Sequence, residues 1–204
     1  MTSKRHTSPA RVDDDVLLDA ARACVLDQGV SRTTLTDVAR RAEVSRMTLY
    51  RRFPDVRSLL AALMTREFSA ILTKIESATT ANPTARTRLV AGAVAAVRAL
   101  TADPLMRTIL DRDGALVLPY VVERLGTTQH LAEGFLRAQI SHGHHDGSVR
   151  HGDADAQARA VLLIVQSFAL SFTPATATLD PERLLAELTH VLDMSLRPVA
   201  PPTP

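Results

Sequence analysis

Hydrophobic residues recur at intervals of three and four along most of the chain, and glycine, proline and short polar stretches interrupt the pattern. Such spacing is typical of amphipathic helices, and no stretch alternates apolar and polar residues as a half-buried strand would. The sequence therefore predicts an all-α protein. The predicted helices run from the acidic residues 13–15 to Gly29, over 35–42, from Ser45 to Pro54, and over 55–78, 84–101, 104–111, 115–124, 127–144, 153–173 and 181–196.

The breaks between these helices divide the chain into five regions. We expect a basic arm at 1–12, a three-helix domain at 13–54, a connecting helix at 55–78, a larger helical domain at 79–197 and a proline-rich tail at 198–204. Asp55 is the predicted N-cap of the connecting helix, and Thr34 with Asp37 predicts a capping box at the start of the second helix. With 204 residues, 46% of them hydrophobic, the chain is long enough to bury its own core.

Positive charge is concentrated near the N-terminus. The formal net charge is only +2, but residues 40–57 hold six arginines against two acidic residues, whereas the chain from Ser58 onward carries 13 basic and 14 acidic residues. A local cluster of this kind, rather than the total charge, creates the field that attracts an anionic partner. The first quarter of the chain is therefore the candidate surface for nucleic acid.

Cysteine usage and hydropathy bear on the cellular compartment. The single cysteine, Cys24, excludes an intramolecular disulfide and a cysteine-based zinc cluster. Residues 1–11 are polar and basic with no apolar stretch behind them, and no run approaches the roughly 18 apolar residues that span a bilayer. We expect a soluble, cytoplasmic protein with no membrane partner.

Residues 35–53 have the pattern of two short helices joined by a three-residue turn. Small and apolar side chains fall on the side expected to be buried, namely Val38, Ala39, Ala42, Val44, Leu49 and Phe53. The other side of the second short helix carries Arg46, Met47, Thr48, Tyr50, Arg51 and Arg52. A helix this short depends on its neighbours for stability, and it can present its N-terminal residues to base edges in a major groove. The pattern predicts a DNA-binding helix-turn-helix.

This region resembles the TetR/AcrR family of bacterial transcriptional regulators. The resemblance covers about residues 13–65 and is carried by Leu17, Leu18, Asp19, Ala20, Ala21, Gly29, Thr33, Thr34, Val38, Ala39, Ala42, Val44, Ser45, Thr48, Leu49, Tyr50 and Phe53. It implies an N-terminal helix-turn-helix DNA-binding domain and a C-terminal helical domain for ligand binding and dimerisation. The expected function is that of a DNA-binding transcriptional regulator, a homodimeric repressor that a small-molecule ligand releases from a palindromic operator.

Three positions depart from the family pattern. Glu43 stands where the family usually has a glycine in the turn, Met47 replaces a common glycine, and Val56 replaces the usual lysine after Pro54. A positive φ at Glu43 would cost on the order of 1 kcal/mol, and Arg57 is the candidate substitute for the lysine. These departures leave an alternative open, a helical ligand- or partner-binding protein of the same fold without specific DNA recognition.

The resemblance and the chemistry of nucleic acids together assign the DNA-binding residues. Arg46, Met47 and Arg51 are the predicted readers of base edges, because arginine pairs bidentately with guanine and an apolar side chain suits the thymine methyl group. The predicted phosphate contacts are Thr34, Ser45, Thr48, Tyr50, Arg52 and Arg57. Lys4, Arg5 and Arg11 of the arm are candidates for the DNA backbone or a minor groove.

The resemblance also implies a ligand pocket among the middle helices and a dimer interface formed by the last two. The segments 153–173 and 181–196 have small and aliphatic faces that suit close packing, either between two chains or within one. The candidate pocket residues mix apolar walls with a few polar groups, and ordinary core packing is the alternative for each: Arg98, Met106, Leu110, Phe135, Gln139, His142, Phe168 and Phe172. We expect no cofactor, only an unidentified small-molecule effector.

A cluster of histidines invites a metal interpretation. The segment 142–153 holds suitable ligands in His142, His144, His145, Asp146, His151 and Asp153. Most of them lie in a glycine-rich connection, however, and residues 147–153 are typical of a turn followed by an N-cap, so no metal site is predicted. The chain also lacks a glycine-rich phosphate loop, a His-Glu-x-x-His motif and a nucleophile elbow. We therefore do not expect an enzyme.

Overall fold

Helices account for the regular structure of residues 13–198, the part of the chain that the computed structural model describes. They are α1 (Asp14–Gln28), α2 (Leu35–Arg41), α3 (Arg46–Arg52), α4 (Val56–Thr79), α5 (Ala85–Ala102), α6 (Pro104–Asp113), α7 (Pro119–Val122), α8 (Thr127–His145), α9 (Ala154–Ala175) and α10 (Pro181–Leu196). The predicted all-α fold is confirmed. The predicted basic arm at 1–12, with Lys4, Arg5 and Arg11, and the tail from 199 lie outside the described residues.

Side-chain caps fix where several of these helices begin. The Asp55 carboxylate accepts from the N–H of Ser58 at 2.7 Å, so the predicted cap of α4 is present. At α2, the Thr34 hydroxyl oxygen accepts from the N–H of Asp37 at 3.2 Å and donates its own proton to the Asp37 carboxylate at 2.5 Å. Hydrogen bonds to the Asp37 carboxylate, first from the Thr34 side chain and also from the Thr34 backbone, lower the pKa of Asp37, and the backbone contact is the one that the predicted capping box requires.

The chain divides into two compact units, and the boundary falls after Leu63, inside α4. In the first unit, one face of each helix is buried because its apolar residues recur at helical spacing. Its fully buried side chains include Leu17, Val25, Val38, Leu49, Leu59 and Leu63. This boundary lies within the segment 55–78 that the sequence predicts to be a connecting helix.

In the second unit, α5 packs against α8, α9 and α10. The core cluster comprises Leu89, Val90, Ala93, Val97, Ile140, Val149, Ala158, Val161, Leu185, Leu188, Leu192 and Leu196. Two ion pairs join α5 to α10 at either end, Arg86 with Asp193 and Arg98 with Glu182. The helices of this unit are thus held by a shared apolar core that is flanked by charged contacts.

The segment 115–124 differs from the single helix that its pattern predicts. A 3-10 turn covers Gly114–Leu116 and the four-residue α7 follows at Pro119–Val122. Pro119 has no N–H to continue the helical hydrogen bonds, so the segment forms two short turns. Further along, α9 continues through Pro174 to Ala175, two residues beyond its predicted end.

Helix α9 is long and apolar enough to cross a membrane by length and composition, contrary to the expectation that no segment would be. Its buried residues include Ala158, Val161 and Leu162, and it packs against α5 and α8. The core helix of a helical bundle meets the same criterion. Within this chain, 17% of the most apolar part of α9 is buried, where the helix packs against α5 and α8.

Candidate nucleic-acid interface and ligand cavity

The turn between α2 and α3 has the geometry of a helix-turn-helix. The N–H of Val44 returns to the carbonyl of Ala39 at 3.0 Å, and Ser45 caps α3 by accepting from the N–H of Thr48 at 3.1 Å. Glu43 has φ 54° and is the one non-glycine residue with positive φ among residues 13–198. The chain therefore keeps the left-handed turn that glycine usually provides, with glutamate in its place.

The two faces of this motif separate as the sequence predicts. Val38, Ala39 and Leu49 are fully buried, and the other predicted inner residues, Ala42, Val44 and Phe53, are half-buried. On the opposite side of α3, Met47 is 77% exposed and Tyr50 is 49% exposed. We call the exposed residues Arg46, Met47, Tyr50 and Arg51 the recognition face.

The arginines around α2 and α3 fall into two groups. Three form ion pairs with nearby carboxylates. Arg40 pairs with Asp37 at 2.8 Å and Arg41 with Asp27 at 2.6 Å. Arg52 pairs with Asp14, and the distance from Arg52 Nε to the Asp14 carboxylate oxygen is 2.7 Å. Arg46, Arg51 and Arg57 have no carboxylate within ion-pairing distance in the described part of the chain, and all three are exposed. The second group includes both predicted arginine readers of base edges and leaves them free to meet an anionic partner.

The predicted phosphate contacts occupy different local environments. The hydroxyls of Ser45 and Thr48 share a hydrogen bond of 2.8 Å at the start of α3, and Thr34 is engaged with Asp37 as described above. Tyr50 lies exposed on α3, and Arg57 lies exposed in the first turn of α4, next to the half-buried Val56. Ser45 precedes α3 as its N-cap, and Thr48 and Tyr50 lie on α3 itself, so two of the predicted phosphate contacts, Thr34 and Ser45, also cap their helices.

Comparison with known proteins decides the family. The family model described as "Bacterial regulatory proteins, tetR family" matches residues 17–63. An uncharacterized HTH-type transcriptional regulator of Mycobacterium bovis, Mb2274c, is 41% identical over 177 residues, which cover 87% of this chain and 90% of the relative. This chain belongs to the TetR family of bacterial regulatory proteins. It is a helix-turn-helix transcriptional regulator, as the motif of residues 35–53 predicts.

Solved structures of TetR-type fold agree over nearly the whole chain. The regulator FadR from Bacillus subtilis, solved in complex with stearoyl-CoA, has a TM-score of 0.67 and 13% identity, covering 91% of this chain and 100% of its own. AibR, solved in complex with isovaleryl coenzyme A and operator DNA, has a TM-score of 0.58 and 18% identity, covering 87% and 96%. At these identities the comparison establishes the fold.

The second unit of this TetR-family protein contains a cavity of about 280 Å³. We call it the central cavity. Its walls come from α4, α5, α8 and α9, and the lining residues are Leu72, Ile75, Glu76, Thr79, Thr80, Arg88, Leu89, Gly92, Ala93, Ala96, Ala132, Phe135, Leu136, Gln139, Leu162 and Val165. Helix α5 contributes three small residues to the wall, Gly92, Ala93 and Ala96, and a Cβ at Gly92 would lie 3.2 Å from Ile75 Cγ2. That run of small residues on one helix face is the feature of the sequence that could have located the cavity.

Of the eight predicted pocket residues, Phe135 and Gln139 line the central cavity. The other six do not, and the predicted lining is corrected accordingly. Arg98 is exposed and paired with Glu182, and His142 is exposed on α8. Phe168 and Phe172 pack against the core cluster, while Met106 and Leu110 lie half-buried on α6, which contributes no wall. The sequence could not separate these cases, because residues that line a cavity and residues that fill a core have the same spacing.

The histidine-rich segment forms hydrogen bonds of its own. His144 Nε2 bonds to the Gln157 side-chain oxygen at 2.8 Å, and the rings of His144 and His151 lie 5.6 Å apart. Asp146 accepts from the N–H groups of Ala85 and Ser148, both at 2.9 Å. Within residues 13–198 there is no group of three or more His, Cys, Asp or Glu side chains arranged to hold a metal ion.

Proposed function

We propose that this TetR-family regulator is a homodimeric repressor that binds a palindromic operator through the recognition face and is released by a small molecule in the central cavity. The observation that carries the proposal is the exposure of Arg46, Met47 and Arg51 and the absence of ion pairs at the two arginines among the described residues. These side chains are exposed on a helix whose opposite side is buried, and both arginines lack an ion-pair partner in the described chain. A helix held in this way can enter a major groove with its readers in place.

Phosphate contacts surround these proposed readers. Thr34, Ser45, Thr48, Tyr50, Arg52 and Arg57 are the residues we propose for this role. Ser45 caps α3, Thr48 lies in its first turn beside the recognition face, Tyr50 belongs to that face, and Arg57 lies in the first turn of the next helix. Phosphate contacts of this kind position the protein on the duplex, whereas base contacts select the sequence.

Dimerisation is proposed through α9 and α10, within the predicted segments 153–173 and 181–196. Leu163 on α9 is 50% exposed, and Val191 and Met194 on α10 are 49% and 50% exposed. Exposed apolar groups on two core helices suit a self-complementary interface between copies of the chain. A dimer would present two recognition faces to two half-sites separated by about one helical turn of DNA or a multiple of it.

The effector is proposed to act by shifting a population of conformers. A ligand that binds one conformer of the second unit more tightly favours that conformer, and operator binding falls if the two recognition faces no longer match the half-site spacing. Helix α4 belongs to both units and contributes to the wall of the central cavity, so it is the proposed connection between ligand and DNA. The complexes of FadR and AibR with coenzyme A thioesters support a small-molecule effector for this fold.

The alternative, a ligand-binding protein without specific DNA recognition, rested on Glu43, Met47 and Val56. Glu43 adopts the left-handed backbone that the turn requires, so it gives no reason to expect a distorted motif. Met47 is exposed beside Arg46 and adds an apolar contact instead of blocking the face. We accordingly favour the repressor, acting on chromosomal DNA in the cytoplasm and without catalytic activity.

Enrichment of genomic fragments by the full-length protein tests the proposal, followed by affinity measurements on the enriched site. A short inverted repeat should be enriched reproducibly. Arg46→Ala should weaken binding to that site by about 1–3 kcal/mol and relax its base preference, because a bidentate guanine contact is lost. Tyr50→Phe should weaken operator and random DNA equally, because only a phosphate contact is lost.

Arg107→Ala is the matched control, since Arg107 is exposed on α6 in the second unit. It should bind like the unmodified protein. Enrichment of no common sequence, or unchanged affinity and salt dependence for both Arg46→Ala and Tyr50→Phe, would overturn the proposed role of the recognition face.

A further inference from the structure

The central cavity is polar at one end and apolar at the other. Helices α5 and α8 run antiparallel beside it, because Asp146 at the end of α8 accepts from the N–H of Ala85 at the start of α5 at 2.9 Å. Arg88, near the start of α5, therefore lies at the same end as Gln139, near the end of α8. At the other end the wall is built from Leu72, Ala96, Ala132, Phe135 and Leu162.

The most exposed part of the cavity wall is at its polar end. Glu76 and Thr80 are the two exposed lining residues, and both lie at the end of α4, next to the turn into α5. The remaining lining residues are buried or half-buried. A molecule that enters by this route meets polar groups first and places its far end among aliphatic side chains and Phe135.

Gln139 carries an unsatisfied acceptor at this polar end. Its side-chain oxygen is buried and has no hydrogen-bond partner among residues 13–198. An unsatisfied buried acceptor costs roughly 1–3 kcal/mol, which a ligand recovers if it supplies a donor. A bound molecule with an N–H or O–H group at this position is therefore favoured over one without.

Arg88 adds donors to the same end. Its Nη1 donates to the carbonyl of Asn82 at 3.1 Å, and no carboxylate lies within ion-pairing distance of it among the described residues. Glu76 lines the same mouth with the opposite charge. A mouth that holds both charges suits an uncharged dipolar head, which accepts from Arg88 and donates to Gln139, better than it suits an anion.

From these observations we infer that the effector is a single-chain amphiphile: an apolar tail lies between α5, α8 and α9, and an uncharged head with both a donor and an acceptor, such as a carboxamide or hydroxyl, binds Gln139 and Arg88. The inference rests on the proposed function, in that it names the chemical class of the molecule that releases the repressor. A cavity of about 280 Å³ accommodates one short alkyl chain and lies just below the range of roughly 300–1,000 Å³ typical of drug-sized ligands.

Calorimetric titration of the full-length protein with matched probes tests the head. Octanamide has the tail and a head that donates and accepts, methyl octanoate has the tail without a donor, and octanoate has the tail with an anionic head. Octanamide should bind at least about tenfold more tightly than either of the others. This difference is the contribution of one hydrogen bond, from the amide N–H to Gln139, which neither of the other heads can donate. Gln139→Leu should remove this preference while leaving methyl octanoate binding unchanged.

Chain-length dependence tests the tail. Ala132→Leu and Ala96→Leu fill the apolar end, so each should shift the preferred amide from octanamide to butanamide, whereas the unmodified protein prefers octanamide. Ala138→Leu is the control, because Ala138 is exposed on the same helix as Ala132 and lines no wall. Thermal unfolding of each variant identifies any that is misfolded, and Ala96→Leu on a different helix provides an independent measurement.

Three results would overturn the inference: equal binding of octanamide and methyl octanoate, tighter binding of octanoate, or no binding of any probe up to its solubility limit. An unchanged chain-length preference in both leucine variants would overturn the tail assignment. Binding of the enriched operator is measured separately. If the protein binds that operator but none of the probes, this inference fails while the proposed function stands. If octanamide binds but no operator is found, the proposed function fails instead.

Discussion

Arg52 donates from Nε to the Asp14 carboxylate over 2.7 Å and so joins the end of α3 to the first turn of α1. The pair holds α3 against the helix that supports it. Arg52 is also one of the residues proposed to contact phosphate, and this ion pair engages its guanidinium. If Arg52 binds DNA, it must give up or share this carboxylate, and Asp14 then competes with the phosphate backbone for the same guanidinium.

Asp14→Asn should therefore strengthen binding to random-sequence duplex DNA, because the carboxylate no longer competes for Arg52. The salt dependence of binding should steepen by about one released counterion if Arg52 then contacts phosphate. Stability should change little, since exposed ion pairs contribute about 0–1 kcal/mol. Fluorescence anisotropy across a salt series measures both quantities, with Asp111→Asn, an exposed aspartate on α6, as the control for charge. An identical increase in the two variants would leave Arg52 without a special role.

Glu43 holds a left-handed backbone in the turn between α2 and α3, with φ 54°. Glu43→Gly should stabilise the protein by about 1 kcal/mol, because glycine adopts this conformation without a steric penalty from Cβ. Urea unfolding measures the change. Glu43→Gln keeps Cβ and the length of the side chain and removes only the charge, so it should not reproduce the gain; equal stabilisation by glutamine would mean that charge, and not backbone strain, is the source.

The sequence predicted the helices well because their boundaries depend on local chemistry. Asp55 caps α4, and Thr34 and Ser45 cap α2 and α3, all with side chains next to the backbone groups that they satisfy. The departures arise where a local pattern is ambiguous. The segment 115–124 was expected to be one helix, but Pro119 divides it. The spacing of apolar residues before Pro119 did not indicate this division.

The recognition face was also predictable, because a helix-turn-helix is a local motif with a specific spacing. The lining of the central cavity was not predictable. Phe135 and Gln139 line it, but Arg98 faces outward and is paired with Glu182 on α10, more than eighty positions away in the chain. Likewise, the neutralisation of Arg52 depends on Asp14 in another helix. Which side chains meet across helices depends on tertiary packing, and the period of one helix does not contain that information.

Asp146 fastens the end of α8 to the start of α5, through hydrogen bonds of 2.9 Å from Ala85 and Ser148. Burial works against its ionisation, but hydrogen bonds from Ser148 and Ala85 and the charge of Arg88 outweigh burial and lower the pKa of Asp146. A pKa that is lower in the folded state stabilises the fold above the unfolded value near 4, and this contribution is lost as the pH falls through the folded value.

Asp146→Ala should therefore reduce the free energy of unfolding at neutral pH by about 1–2 kcal/mol, and the difference from the unmodified protein should shrink as the pH falls below about 4. Urea unfolding at a series of pH values measures this difference. Asp111→Ala serves as the control and should show neither effect. A loss of stability at Asp146→Ala that stays constant down to the lowest pH would contradict the role of the ionised carboxylate.

Gly143 and Val149 pack closely where the chain turns back on α8. The N–H of Val149 donates to the carbonyl of Gly143 at 2.9 Å, and both residues are buried. A Cβ added at Gly143 would overlap Val149 Cγ2 and lie 2.8 Å from Val149 Cβ. Helix propensity alone favours alanine over glycine by about 1 kcal/mol, but overpacking a buried site costs about 1–3 kcal/mol, and this overlap involves a branched, fully buried side chain.

We therefore expect Gly143→Ala to destabilise the protein despite its better helix propensity. Val149→Ala alone should destabilise it by about 2 kcal/mol through lost apolar burial. In the double variant the new methyl group occupies part of the space that the valine leaves, so the two losses should not add, and the coupling should be about 1–3 kcal/mol. Urea unfolding of the four proteins completes the cycle. Additive losses would mean that the new methyl group and the valine side chain do not compete for the same space, and that close packing against Val149 is not why glycine occupies this position.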